Sequence, residues 1–115
     1  AEIASHALRI HPVDMRYRNL SQCHGLTGLG EIYLEAARVL GDDEWLERAN
    51  NIANTTLNLY RQTDSGSITW LVENFHQPTA DLMVGSAGVI HFLLRLCFRE
   101  KNISFPLLLD GKRNY

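Results

Sequence analysis

A thiol and an imidazole stand side by side at Cys23-His24, followed by glycines at positions 25, 28 and 30. Cysteine and histidine are frequent protein donors to soft and borderline metals, zinc above all. Neighbouring residues project about 100° apart on an α-helix, so the pair can share one ion only from a turn. Gly25 and Gly28 allow such a turn, because glycine tolerates positive φ and close backbone approach. The alternative is a buried thiol beside a helix-start histidine, with no ion between them. Gly25-x-x-Gly28-x-Gly30 is not a dinucleotide site, since its spacing is reversed and no strand precedes it.

Other reactive side chains are scattered. Cys97 lies in an apolar helical stretch, where a small core residue is the expectation and a sulfur ligand the alternative. His91, in the same stretch, either faces a cavity or is a satisfied buried histidine. Glu73, His76 and Asp81 flank a loop and read as loop polarity, with the lining of a cavity mouth as the alternative. Glycoside chemistry needs two positioned carboxylates, and only Glu31, Glu73 and Asp81 are even loosely placed for it. Arg16-Tyr17-Arg18 reads as a solvated surface rather than an anion contact.

The elements that must carry these residues are helical. Ile3, Ala7 and Ile10 give Ala1 to Ile10 a helical period, ended by His11-Pro12. Leu26, Leu29, Ile32, Tyr33, Ala36, Ala37 and Leu40 predict a helix over 26–40, stopped by Gly41. Asp42 or Asp43 caps the next helix, with Glu44 adding negative charge at its positive end. Its apolar stripe is Trp45, Leu46, Ala49, Ile52, Ala53, Thr56, Leu57 and Tyr60, which predicts an amphipathic outer helix. Residues 62–80 read as a loop with turn chemistry at Asp64-Ser65-Gly66-Ser67 and a short strand over Ile68–Val72. A last helix runs from about Ser86 to Arg99, and 102–115 reads as an irregular tail.

Bulk composition excludes several classes. The 115 residues suffice for one small domain. Eleven basic and thirteen acidic residues leave a formal charge of −2, which argues against nucleic acid as a partner. Two cysteines are no disulfide framework, and with no leader visible a reduced, cytoplasmic setting is expected. The sequons at Asn19, Asn54 and Asn102 are read as chance. Leu82 to Phe98 is long and apolar enough to touch the lower limit of a membrane span, but His91 and Arg95 are costly in lipid. A helix buried in protein, apolar all round, is the expectation, and no membrane span.

The glycine motifs repeat. Gly25-x-x-Gly28 and Gly85-x-x-Gly88 are offset by 60 residues (85 − 25 and 88 − 28), and each opens an apolar helix. The pattern predicts helix-pair units, inner helix after a glycine turn and outer helix packed over it. About two units are present, over roughly 23–80 and 81–115, where fewer than about three are seldom stable alone. The chain therefore reads as an all-α piece of something larger.

Cys23-His24-Gly25, followed by Thr27-Gly28-Leu29-Gly30-Glu31 and Ala36-Ala37-Arg38-Val39-Leu40-Gly41-Asp42, resembles the lanthionine synthetase C-like cyclases. Asp81-Leu82-Met83-Val84-Gly85-Ser86-Ala87-Gly88-Val89 with Leu93-Leu94-Arg95-Leu96 is similar to that family's last glycine motif and closing helix. The resemblance spans about Gln22 to Leu96 and implies that residues 1–115 are the carboxy-terminal part of a cyclase domain. It implies an α/α toroid around a central cavity, and a zinc ion held by two cysteines and one histidine. By the match, Cys23 and His24 are two of those ligands. The family's other cysteine lies one repeat upstream, where the 22 residues before Cys23 hold none. Its acid/base histidine also belongs to an earlier repeat, and neither His6 nor His11 matches it.

The implied reaction adds a cysteine thiol of a precursor peptide across dehydroalanine or dehydrobutyrine, forming a thioether ring. A thiol near pKa 8.5 is mostly protonated at neutral pH, and zinc at an open fourth position deprotonates it. The expected partners are that peptide and either the missing amino-terminal part of the domain or a self-associating copy. Lacking one ligand, the chain alone is expected to be inactive. The competing reading is a noncatalytic helical-repeat module that binds peptide on its concave face.

Overall fold

A computed structural model describes residues 1–10, 19–73 and 76–101. The Arg16-Tyr17-Arg18 cluster, the His11-Pro12 stop and the 102–115 tail lie outside the described residues. Among the described residues, four helices, α1 (Glu2–Ile10), α2 (Leu26–Leu40), α3 (Asp43–Leu57) and α4 (Ser86–Cys97), carry the fold, with a two-strand hairpin, β1 (Arg61–Gln62) and β2 (Ile68–Thr69). The protein is all-α in class, with a short 3₁₀ turn at Arg99–Lys101.

The helix α2 ends as its composition predicts. Gly41 takes φ 68° and its amide returns to the Ala37 carbonyl, a left-handed cap that glycine adopts without a Cβ penalty. Asp42 then caps α3 by accepting from the Glu44 amide. So short a connection folds α3 back against α2, where Tyr33 and Trp45 stack with centroids 5.8 Å apart. Tyr33, Trp45, Ile52, Leu26, Val89 and Phe92 are fully buried, each contributing about 1.5–3 kcal/mol relative to exposure. From α1, Arg9 bonds Asp42 at 2.9 Å and Glu44 at 2.7 Å, and its guanidinium lies over Trp45.

The stripes differ from expectation at their edges. Ile32, Leu57 and Tyr60 are half exposed, Tyr60 because α3 has already ended at Leu57. The last apolar run is not one helix buried on every side. Its first part is a turn, α4 leaves Ile90 and Leu94 exposed, and Phe98, just past its end, is exposed too. Cys97 is exposed as well, not a core residue. The buried face of α4 is instead Ser86, Gly88, Val89, Phe92 and Arg95.

Between α3 and α4 the hairpin pairs Arg61 with Thr69 and Gln62 with Ile68. Gly66 turns it at φ 82°. The strand expected over Ile68–Val72 is thus only two residues long. Beyond it, Trp70 is buried and its indole N–H donates to the Thr56 carbonyl at 2.9 Å, while its amide donates to Ser86 Oγ. The hairpin is thereby anchored to the end of α3 and the start of α4.

The turns leading into α2 and α4 are built alike. The Leu26 amide donates to the Asn19 carbonyl at 2.9 Å, and the Ser86 amide to the Thr79 carbonyl at 2.8 Å. A Cβ on Gly28 would fall 2.2 Å from the Gln22 carbonyl oxygen, and one on Gly88 would fall 2.2 Å from that of Leu82. Both glycines are required by close approach of backbone to helix. Gly28→Ala is expected to destabilise by about 3 kcal/mol. Gly41→Ala, with open space around the new methyl, should cost only about 1 kcal/mol of left-handed strain. Urea midpoints of the two variants test the contrast.

Candidate functional site

Cys23 and His24 occupy the turn before α2, and both are exposed. The reading of a sealed, buried thiol therefore fails. Two anchors hold the turn. Asn19 Oδ1 accepts from the Ser21 amide and hydroxyl, and Ser21 Oγ in turn accepts from the His24 amide. The amides of Gln22 and Cys23 both donate to the Met83 carbonyl, at 2.9 and 3.1 Å, so the second glycine turn buttresses the first.

Behind the turn lies a charged cluster. Gln22 Nε2 donates to Glu31 Oε1 at 3.0 Å. The same oxygen lies 2.7 Å from His91 Nδ1, while Arg95 donates to Glu31 Oε2 at 2.5 Å. Arg95 also bonds Glu35, which Arg38 engages from its other side. Glu31 and Arg95 are buried. Two of the links between α2 and α4 join residues 60 apart, Glu31 with His91 and Glu35 with Arg95, and the third, Glu31 with Arg95, reaches one turn further, so the two helices run parallel in matching register. Gly30 makes room for the Phe92 ring between them. His91 is the satisfied, part-buried histidine of the two alternatives.

The loop residues divide. Asp81 Oδ1 accepts from the Val84 amide at 2.7 Å, which holds its carboxyl below the ordinary range. Glu73 sits beside the Cys23-His24 turn, with Oε1 3.0 Å from His24 Nε2. Of the three carboxylates, Glu31 is bound into the buried cluster and Asp81 caps its own turn, so both are engaged structurally. Cys97 closes the far end of α4, about 17 Å along the axis from its first turn, and does not approach Cys23.

Zinc suits the Cys23 and His24 donors chemically. Both sit on one braced, open turn. Among the described residues, no three or more His, Cys, Asp or Glu side chains gather in a way that could hold a metal ion. Cys23 and His24 are therefore a partial donor set. Nor is any helix of the described residues long and apolar enough to cross a membrane.

The fold and site define an α-helical protein with two matching glycine turns, the first presenting a Cys-His pair. The model of the lanthionine synthetase C-like proteins matches residues 2–109, and the chain belongs to that family. No curated protein matches it.

Arg95→Met leaves Glu31 buried without its guanidinium, and should cost about 3 kcal/mol. Because the two side chains share one network, Glu31→Gln with Arg95→Met should cost clearly less than the sum of the single changes, as a urea double-mutant cycle would show. At Glu35, burial raises the carboxyl, but hydrogen bonds and charge from Arg95 and Arg38 outweigh it, and the net lies below the usual 4.5. A depressed carboxylate adds stability that is fully present above its unfolded value and lost as pH falls through the folded one. Glu35→Gln should therefore lower the urea midpoint at neutral pH and converge with the parent chain in strong acid.

Proposed function

We propose that this chain forms part of the zinc site of a lanthipeptide cyclase. In this reading, precursor-peptide cysteines add to dehydroalanine or dehydrobutyrine, and Cys23 and His24 are two of the zinc ligands. The carrying observation is the exposed Cys-His pair on a braced turn in a chain of this family. Zinc, when bound, supplies the acidity that keeps a thiol as thiolate near neutral pH.

The chain's own residues hold and orient. Gln22, tied to Glu31 and Met83, fixes the backbone immediately before Cys23. Exposure of Cys23 and His24 leaves room for a peptide sulfur. The third protein ligand comes from outside this chain, since Cys97 is its only other cysteine and lies at the wrong end of α4. Completion of the site requires an upstream part of the same domain or a second copy, closing an α/α toroid. Residues 1–115 are the carboxy-terminal part of that domain, inactive alone. Both described cysteines are free, and a reducing cytoplasm suits a site whose ligand and substrate are thiols.

Zinc titration of the chain against a chromophoric chelator tests this reading. Cys23→Ala and His24→Ala should each weaken binding at least about tenfold. No zinc uptake, or equal uptake by Cys23→Ala, defeats it. Peptide binding that persists in Cys23→Ala without zinc would point instead to the noncatalytic helical-repeat module.

A further inference from the structure

The hairpin segment brings a carboxylate to the Cys-His turn from well outside the motif. Trp70 and Val72 are buried, and the Val72 carbonyl accepts from the Leu20 amide at 3.4 Å. Glu73 follows this anchored stretch directly. Its Oε1 is buried and has no hydrogen-bond partner among the described residues, yet it lies 3.0 Å from Nε2 of His24. A buried carboxylate oxygen without a donor is costly. A small rotation of the exposed His24 ring would let Nε2–H satisfy it.

Ring chemistry then decides which nitrogen is left. With Nε2 protonated and turned to Glu73, the neutral ring offers only Nδ1 as a lone-pair donor. Nδ1 is also the nitrogen nearer the backbone, which suits an ion shared with the preceding residue's thiol. Metal-binding histidines commonly give their second N–H to a carboxylate, which fixes the tautomer and strengthens the donor. Resting on the zinc reading above, we propose that Glu73 is the positioning residue for His24, holding it as the Nε2–H tautomer so that Nδ1 faces the zinc.

The test uses the 115-residue chain with ¹⁵N-labelled histidine, read by long-range proton–nitrogen correlation, with zinc affinity measured in parallel. Without metal, His24 should show a protonated Nε2 and a bare Nδ1, a preference that Glu73→Ala relaxes. Zinc should then shift Nδ1. Glu73→Ala should weaken zinc binding about 10- to 100-fold, while Glu73→Gln, isosteric and still offering an oxygen, should recover part of that loss. Coordination through Nε2, or affinities of both variants within about twofold of the parent, overturns the proposal and leaves the zinc reading standing. Absence of Cys23-dependent zinc uptake in the parent chain overturns both.

Discussion

The Glu31 carboxylate is the interaction on which the arrangement depends. It is buried between α2 and α4, where a bare charge would be expensive, and it is matched by Gln22, His91 and Arg95. Those three partners come from the turn before α2 and from two successive turns of α4. One side chain thus sets the spacing of α2 and α4 and tethers the residue next to Cys23. Removing a partner leaves charge uncompensated, whereas hydrophobic contacts alone would let the helices slide.

Much of the backbone was legible in the sequence. The three- and four-residue apolar steps placed α2 at its observed limits, and Gly41 and Asp42 ended one helix and began the next through chemistry local to each residue. The paired glycines were equally readable, because close approach of a carbonyl at positions 28 and 88 excludes any side chain. Cys23 and His24 stood out by residue type, and their place in a turn before a helix was weighed against a buried thiol, which their exposure rules out.

What was missed depends on contacts between distant residues. Glu31 was noted only as a loosely placed carboxylate, because its charged partners His91 and Arg95 lie far along the chain. The signal was nevertheless present. Once the glycine motifs are aligned at their 60-residue offset, Glu31 falls opposite His91 and Glu35 opposite Arg95, acid facing base at each step. Cys97 was misjudged because an apolar stretch says nothing about which face is covered. Arg95 took the inner face instead, drawn there by two carboxylates. Glu73 was read as mere loop polarity, since its place beside His24 follows from the hairpin and the burial of Trp70 and Val72 rather than from any spacing in the chain.

The Met83 carbonyl receives two amides from the Gln22-Cys23 backbone, so the first turn borrows its final shape from a segment made some sixty residues later. During synthesis the Cys-His pair therefore emerges without the support that shapes its turn, and takes its final geometry only when the downstream turn has docked. A chain cut short by a few dozen residues would retain the reactive side chains and lose the scaffold that aims them.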